Sequence, residues 1–317
     1  MLTKPVQINQ YPVSPVLPVL LQDKTTKENI IWATASYAAL GDGYAEDAQM
    51  TVDALTGMDA NMLQPRVLKA LEEQQERTKS HAEVFTPSWV CNLMNNYCDE
   101  EWFGRPDVFN IHEGQNWTAS AAPVSFPEGK DWKEYVDSRR LEITCGEAPF
   151  IVSRYDAVTG EEIPIPQRIG LLDRKLRVVN ENAAGEEEWM EWVLRAFQSV
   201  YGYEFQGDNL LLARINLLMT FVEYLRERWQ RQPTEKELKK LANVIAWNLW
   251  QMDGLKGTIP LSEPEDIHEQ ISMDDLFSGA FGFADEAEKT KKTPRCQIFD
   301  WRAACSVPFE NVGRTGP

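Results

Sequence analysis

The order of apolar and polar residues predicts alternating strands and helices in the middle of the chain. Apolar residues fill Val200–Phe205, Gly207 interrupts them, and apolar positions then recur at a helical period up to Trp229. A second helix is predicted where Thr234 and Glu237 have the spacing of a capping box. Strand, turn and helix in this succession are typical of an α/β protein, in which helices wrap a sheet.

The first 80 residues do not share this pattern. They hold a proline-rich start, a candidate strand at Asn29–Ala33 and a charged helix with a narrow apolar stripe from about Pro65 to Thr78. Pro87 then stands where another helix would begin, because proline is favoured at a first helical position. We predict that residues 104–133 and 155–188 are insertions, and that a last strand lies near residues 296–301.

Composition is ordinary for a globular protein, with 43% hydrophobic and 26% charged residues, but the charge balance is not. The chain has 49 acidic and 32 basic residues, which gives a formal net charge of −17. Proteins that bind duplex DNA gain much of their affinity from cations that meet phosphates, so DNA repels this chain on average. Any contact with DNA is therefore expected to come mostly through a basic partner.

The sequence contains no recognisable targeting or membrane segment. Pro12, Pro15 and Pro18 interrupt the apolar runs near the N-terminus, which argues against a signal peptide. No stretch reaches the roughly 18 uncharged apolar residues that a membrane span requires. The five cysteines fit neither a disulfide framework nor paired zinc ligands. We expect a cytoplasmic protein with reduced thiols and no membrane contact.

Three short segments carry the candidate chemistry, namely His81–Pro87, Leu141–Phe150 and Tyr201–Phe205. The first ends in Phe-Thr-Pro, the second is an acidic strand end followed by a tight loop, and the third is a strand that ends in an acid. In this order they resemble motifs of the gamma-ordered adenine-N6 DNA methyltransferases. The surrounding residues 78–255 are similar to the M subunits of restriction-modification systems.

The resemblance implies a fold and a division of the chain. The expected fold is a Rossmann-like class I S-adenosylmethionine-dependent methyltransferase sheet with helices on both faces, preceded by a helical and extended N-terminal segment. Residues 1–80 would form that N-terminal extension and residues 81–260 the cofactor-binding domain. Residues 261–317 would form an acidic loop and a C-terminal strand and tail.

The resemblance also implies S-adenosylmethionine as the cofactor. Small residues in the loop allow its backbone to approach a nucleotide, and the Glu204 carboxylate has two acceptor oxygens for the ribose hydroxyls. Asp253 resembles the acid that meets the adenine amino group, and the Phe-Thr-Pro segment would line the methionine end. The implied cofactor-binding residues are Phe85, Thr86, Pro87, Glu142, Thr144, Cys145, Gly146, Ala148, Pro149, Phe150, Glu204, Phe205 and Asp253.

The sequence departs from the family in its catalytic motif. Adenine-N6 methyltransferases carry a tetrapeptide with two consecutive prolines that orients the flipped adenine, yet none of the 18 prolines here is followed by another. We identify no catalytic residue and no set of metal ligands. The chain also stops near where that motif is expected, without a target-recognition domain. We therefore expect a split enzyme, in which a companion subunit supplies the tetrapeptide, target recognition and most of the DNA contact.

A second departure is the long spacing between Glu142 and Glu204, which the insertion at 155–188 would explain. This insertion is the most basic stretch of the chain, so contact with a partner or DNA is one interpretation and a solvated hairpin is another. Its basic residues are Arg168, Arg174, Lys175 and Arg177.

Two other functions remain open at the level of sequence. The first is a catalytically inactive, acidic interaction protein with a methyltransferase-like fold. The second is a magnesium-dependent restriction nuclease, because Pro106-Asp107 and Glu128-Gly129-Lys130 match a loose metal-site pattern.

Overall fold

A computed structural model describes residues 7–59, 62–69, 86–264, 292–293 and 295–309. In chain order, the α-helices are α1 (Leu17–Leu20), α2 (Val52–Gly57), α3 (Ser88–Phe103), α4 (Trp132–Asp137), α5 (Leu171–Asn182), α6 (Glu186–Gln198), α7 (Gly207–Trp229) and α8 (Glu235–Asn248). The strands are β1 (Asn110–Glu113), β2 (Asn116–Ala119), β3 (Arg140–Glu142), β4 (Val200–Glu204), β5 (Leu249–Gln251), β6 (Glu263–Pro264), β7 (Lys292–Thr293), β8 (Gln297–Asp300) and β9 (Cys305–Pro308). Short 3-10 helices span Ser14–Val16, Ala35–Leu40, Asp42–Tyr44, Arg66–Leu68 and Ile165–Gln167.

Three parallel strands form the central sheet in the order β3-β4-β5. Arg140 of β3 pairs with Val200 of β4, and Gly202 of β4 pairs with Leu249 of β5. Helices α5 and α6 connect the first two strands, and α7 and α8 connect the second and third, as parallel pairing requires. The protein is therefore a mixed α/β protein, as the sequence pattern predicts.

The predicted unit around β4 is confirmed. The strand lies within the predicted Val200–Phe205 and all its residues are buried, and α7 ends at Trp229 as expected. Thr234 forms the predicted capping box: its hydroxyl accepts from the Glu237 N–H, and the Glu237 carboxylate accepts from the Thr234 N–H at 2.7 Å. These elements are set by local pattern, which explains why the sequence locates them.

Helix α7 is the centre of the main hydrophobic core. It is buried on almost all sides from Gly207 to Leu225, because the sheet lies on one side and the other helices lie around the rest. Arg214 of this helix is fully buried and donates to the carbonyl oxygens of Leu249 and Gln22. These bonds join α7 to both β5 and the N-terminal segment.

The two faces of the sheet are covered differently. Helices pack on the face that carries Val200 and Leu249. On the opposite face, Tyr201, Tyr203 and Trp250 form a second apolar cluster with residues of the β8–β9 hairpin and its approach. The expected helices on both faces are therefore not found among the described residues, where a β-hairpin covers the second face. The predicted last strand corresponds to β8.

The N-terminal extension shares the main core with the rest of the chain, from Ile8 to Leu63. Its predicted strand at Asn29–Ala33 is an extended segment that makes only isolated bridges, one of them between Ile31 and Gln49. The predicted helix from Pro65 to Thr78 is wrong at its start, since residues 66–68 form a 3-10 turn that ends at an extended Lys69. Residues 70–78 lie outside the described residues. The proposed domain boundaries stay a prediction.

Two of the four basic residues of the insertion at 155–188, Arg174 and Lys175, are buried in α5, and Arg168 and Arg177 are half-buried, so this stretch is not a solvated hairpin. The Arg174 guanidinium donates to Asp99 at 2.6 Å, and both side chains are almost fully buried. The Lys175 ammonium donates to the carbonyl oxygen of Val136 at 3.0 Å, and burial lowers its pKa well below the usual range. Their charges satisfy interior acceptors, which leaves few cations for a ligand.

Among the described residues, no helix combines the length and the apolar character needed to cross a lipid bilayer.

Candidate functional site

The carboxyl ends of the three parallel strands bring several predicted residues together. Glu142, Glu204 and Gln251 are the last residues of β3, β4 and β5. Glu204 pairs with Gln251, and Glu142 pairs with the residue two before Glu204, so all three lie at the carboxyl-terminal end of the sheet. In parallel α/β sheets, ligands bind in the crevice outside this end. The carboxyl-terminal end of the three strands is therefore the candidate site.

The loop over residues 143–150 follows β3 and bends sharply. Thr144, Gly146 and Ala148 have φ values of 47°, 52° and 65°, so every second residue is left-handed. Two of these are not glycines, and a left-handed residue with a Cβ costs about 1–2 kcal/mol. Such strain persists only where surrounding contacts fix the conformation, as at ligand sites and tight turns.

The loop is held by a hydrogen bond to the next strand. The Gly146 N–H donates to Glu204 Oε2 at 2.8 Å, and the Gln206 N–H donates to Glu204 Oε1 at 3.1 Å. The loop and the acid that the sequence assigns to one cofactor pocket are thus in direct contact. Glu204 nevertheless has a role that the sequence does not predict, since its carboxylate braces the loop.

Three other amides of the loop also donate to groups of the protein. The Cys145 N–H donates to the Tyr203 carbonyl at 2.8 Å, and the Ala148 N–H donates to the Cys145 carbonyl at 2.7 Å. The Phe150 N–H donates to Glu142 Oε1 at 3.3 Å. The sequence predicts that this backbone faces a nucleotide-like ligand, whereas these particular amides are already paired. Thr144 is exposed, and within the described residues no hydrogen bond of its N–H is recorded.

Two buried carboxyl groups lie beneath the loop. Glu142 is 8% exposed and Glu204 is 7% exposed. Burial raises the pKa of Glu142 well above its usual range, opposed by the amides of Phe150 and Ile151 and reinforced by the charge of Glu204. Burial also raises the pKa of Glu204, opposed by the amides of Gln206 and Gly146. Desolvation thus outweighs hydrogen bonding at both groups.

Gly202 of β4 allows the loop to lie against the sheet. A Cβ at this position would come within 3.2 Å of Cys145 Sγ and 3.3 Å of Ile151 Cδ1. Burial raises the pKa of the Cys145 thiol well above its usual range, so the thiol stays protonated and packs as an apolar group. A glycine between two tyrosines in a buried strand is the signal by which the sequence marks this close approach.

Asp253 lies in the turn after β5. Its Oδ1 accepts from the N–H groups of Leu255 at 2.9 Å and Lys256 at 3.2 Å, which closes the turn. Among the described residues, only Oδ1 of this carboxylate accepts hydrogen bonds, and the side chain is half-buried. Leu255, at the tip of the turn, is fully exposed. Oδ2 is thus the oxygen available to a ligand.

The Phe-Thr-Pro segment lies at the start of α3. Pro87 is the N-cap residue, one position earlier than predicted, and Asp156 Oδ2 accepts from the Ser88 N–H at 2.8 Å. One turn later, burial raises the pKa of the Cys91 thiol, with a smaller contribution from the charge of Glu142. Asn95 of the same helix donates to the Phe150 carbonyl at 3.0 Å, so α3 contacts the loop after β3. Phe85 lies outside the described residues, while Thr86 and Pro87 are half-buried.

The remaining predicted residues are held by backbone contacts. The Phe150 carbonyl accepts from Asn95 Nδ2 at 3.0 Å, and the Phe205 carbonyl accepts from Gln251 Nε2 at 2.8 Å. Pro149 is half-buried beside Phe150.

Sequence reasoning missed the contribution of the N-terminal extension to the candidate site. Gln251 Nε2 donates to the Ile31 carbonyl at 2.8 Å, and Gln251 Oε1 accepts from the Ile31 N–H at 2.9 Å. The Gly207 N–H donates to the Trp32 carbonyl at 2.9 Å, and a Cβ on Gly207 would lie only 2.0 Å from Ile31 O. The extended segment therefore crosses the start of α7. No local pattern announces such a long-range contact.

A buried polar group at the start of α7 was also missed. Asp208 Oδ2 accepts from the Tyr37 hydroxyl at 2.9 Å, and Lys69 Nζ lies 3.5 Å from the same oxygen. Nearby, Glu147 Oε1 accepts from the Arg66 N–H at 2.7 Å. The N-terminal extension thus reaches both the loop after β3 and the helix after β4.

The residues of the nuclease pattern lie at the surface. Asp107 and Glu128 are exposed. Lys130 Nζ donates to the carbonyl oxygen of Trp102 at 3.1 Å and lies 4.5 Å from the centre of the Trp102 indole ring. The described residues contain no group of three or more histidine, cysteine, aspartate or glutamate side chains arranged to hold a metal ion.

Comparisons of the chain with protein-family models, with curated proteins and with solved structures found no match.

Proposed function

We propose that this chain is the S-adenosylmethionine-binding subunit of a DNA adenine-N6 methyltransferase of a restriction-modification or phage-defence system. A companion subunit supplies the tetrapeptide with two consecutive prolines, target recognition and most of the DNA contact. The chain by itself is therefore an incomplete methyltransferase, and its sheet is the first half of a Rossmann-like sheet.

The observation that carries this proposal is the hydrogen bond of 2.8 Å between the Gly146 N–H and the Glu204 carboxylate. It joins the bent loop after the first parallel strand to the acid at the end of the second. In dinucleotide-binding folds, the loop after the first strand approaches the phosphates of the nucleotide, and the acid after the second strand accepts from its ribose hydroxyls. The order of the strands along the sheet, with β4 between β3 and β5, supports the same arrangement.

The available acceptors fit the hydrogen-bonding groups of S-adenosylmethionine. A carboxylate has about four lone-pair sites, and the backbone amides of Gly146, Phe205 and Gln206 use only part of this capacity at Glu204. Asp253 Oδ2 is an acceptor suited to an adenine amino group. The chain's own residues would bind and orient the nucleoside, and the cofactor, when bound, would supply the methyl group.

The net charge of −17 supports the assignment of cofactor binding to this chain and of DNA contact to a companion subunit. The most basic stretch is folded into α5, where Arg174 and Lys175 are buried. A DNA-methylating complex needs cations along the phosphates, and they would come from the companion.

The test is calorimetric titration of S-adenosylmethionine into the purified chain and into Asp253→Asn. Asparagine keeps Oδ1, so the turn to Leu255 and Lys256 survives, but it replaces Oδ2 by a donor that opposes the adenine amino group. An unpaired donor at this point costs about 1.5–3 kcal/mol, which weakens binding by about 10- to 100-fold.

Asp107→Asn is the matched control, because Asp107 is exposed and belongs to the nuclease pattern. It should bind the cofactor as the unmodified chain does. Equal affinity of Asp253→Asn and the unmodified chain would remove Asp253 from the site. Absence of any binding heat with the unmodified chain would contradict the proposed function itself.

One observation favours the alternative of an inactive, acidic interaction protein. The N–H groups of Cys145, Gly146, Ala148 and Phe150 all have partners inside the protein, which leaves few amides for a ligand. On this alternative, the left-handed loop is purely structural and S-adenosylmethionine gives no heat of binding. The same titration therefore separates the two functions.

A further inference from the structure

Strand β3 is an outermost strand of the central sheet, and among the described residues no strand pairs with its outer side, which is called the open edge of β3. The Arg140 N–H donates to the Ser199 carbonyl, so Arg140 and Glu142 direct their backbone groups toward β4. Alternate residues of a parallel strand face opposite neighbours, so Leu141, between Arg140 and Glu142, directs its N–H and C=O away from β4. Ile143 follows the last residue of β3 and begins the loop. Within the described parts of the chain, no hydrogen bond reaches the N–H or C=O of either residue. The outer side of β3 therefore offers the backbone groups of Leu141, and those of Ile143 follow directly after the strand.

The side chains on this edge are apolar and exposed. Leu141 is 44% exposed and Ile143 is 63% exposed. Leu141 pairs in register with Tyr201, a member of the second apolar cluster, which is buried under the β8–β9 hairpin. Leu141 thus extends this apolar face of the sheet past the part that the hairpin covers. An exposed apolar strand edge is unusual, because it invites pairing with another strand.

Among the residues that the structure describes, the usual protection of a strand edge is missing here. Arg140 turns inward toward Asp99, at 3.9 Å, and Glu142 accepts from backbone amides of the following loop. Neither charge projects at the edge, and the edge contains neither lysine nor proline.

The order of the sheet identifies the strand that fits this edge. The first three strands of a doubly wound sheet lie in the order 3-2-1, and the fourth lies beside the first, on its other side. The observed order β3-β4-β5 matches strands one to three, which leaves β3 with the open side. A parallel strand added there would end beside Glu142 and the loop over 143–150.

We propose that the open edge of β3 receives a parallel strand of the companion subunit, which completes the sheet across two chains. This proposal rests on the proposed function and specifies how the companion binds. Backbone pairing with Leu141 and Ile143 fixes the register, and their side chains are buried under the companion's own cover. The residues that follow the added strand then lie at the candidate site, where the missing tetrapeptide is needed.

A second copy of this chain is the competing occupant of the edge. Each copy carries a net charge of −17, so two copies repel each other, whereas a basic companion is attracted. A second copy would also bring the same three strands again and no tetrapeptide.

The experiment measures amide hydrogen exchange of the purified chain with a synthetic peptide in excess. The peptide has an apolar strand followed by Asn-Pro-Pro-Tyr, and its control carries N-methyl groups at alternate strand residues, which blocks backbone pairing without changing the side chains. We expect the peptide to slow exchange at Leu141 and Ile143 by about tenfold or more, and the methylated peptide to have no effect.

Ile143→Asp should abolish the protection, because it places a charge at the paired edge. Val158→Asp is the matched control, since Val158 is 50% exposed on the hairpin after the loop, and it should retain the protection. Unchanged exchange at millimolar peptide would overturn the proposal. Protection that rises with the concentration of the chain alone would overturn it in favour of a second copy. Loss of cofactor binding in calorimetry would refute the proposed function while leaving this measurement of the edge unaffected.

Discussion

Replacing Glu204 by glutamine tests whether the carboxylate braces the loop after β3. In the folded protein, Oε2 accepts from the Gly146 N–H at 2.8 Å and Oε1 accepts from the Gln206 N–H at 3.1 Å. Glutamine has one acceptor oxygen, so in either orientation its NH₂ group meets one of these N–H groups. The substitution changes hydrogen bonding while leaving the size of the side chain almost unchanged.

The expected loss of stability follows from two opposing terms. One hydrogen bond to a charged group is lost, which costs about 1.5–3 kcal/mol. Removal of the buried charge offsets part of this cost, because burial raises the pKa of Glu204 and so disfavours its ionised form. The free energy of unfolding of Glu204→Gln should therefore fall by about 1–2 kcal/mol.

The assay is urea unfolding at neutral pH, followed by tryptophan fluorescence, together with hydrogen exchange of the loop over 143–150. The amide of Gly146 should exchange faster in the variant than in the unmodified chain. Glu113→Gln is the control, because Glu113 is exposed at the end of β1, and it should change neither measurement. If Glu204→Gln matches the unmodified chain in both stability and exchange, Glu204 does not hold the loop.

Two further substitutions examine residues at the carboxyl-terminal end of the sheet, Gly207 at the start of α7 and Glu142 at the end of β3. Gly207→Ala should cost about 3 kcal/mol or more in urea unfolding, because its Cβ would lie 2.0 Å from Ile31 O. Gly57→Ala, where a Cβ meets no atom within 4 Å, should cost nothing, and equal losses in the two variants would contradict the packing. Glu142→Gln tests a pH dependence. Burial raises the pKa of Glu142, so above the ordinary pKa of 4.5 the folded protein keeps a proton that the unfolded chain loses. The protonated carboxyl group therefore contributes fully to the free energy of unfolding below pH 4.5, and this contribution declines as the pH rises. The stability of the unmodified chain relative to Glu142→Gln should fall as the pH rises above the ordinary pKa of 4.5, and a flat difference would refute the burial argument.

The amides of the loop distinguish two ways in which a left-handed loop can function. A loop that leaves its N–H groups free can cradle an anion, as phosphate-binding loops do. Here Gly146 and Phe150 donate to carboxylates of the protein. The proposed ligand is a sulfonium nucleoside without phosphate, so acceptors such as Glu204 and Asp253 matter more for it than donors.

The sequence alone predicted those features that depend on residues close to each other in the chain. The strand at Val200–Glu204 and the end of α7 follow from apolar periodicity, and the Thr234 cap follows from the spacing of hydroxyl and carboxylate. The net charge follows from composition. The strand, the helix end and the cap are each decided by residues within about one or two turns of backbone, where spacing along the sequence and distance in space agree.

Only the tertiary structure decided which groups the candidate residues bind. Glu204 and Gly146 are 58 positions apart, and Gln251 and Ile31 are 220 apart, so their contacts depend on how whole elements pack. The same reason explains why Arg174 and Lys175 seemed available in the sequence but are buried in the structure. Spacing along the chain gives the type of each side chain, whereas packing determines whether its charge meets solvent, a ligand or the interior.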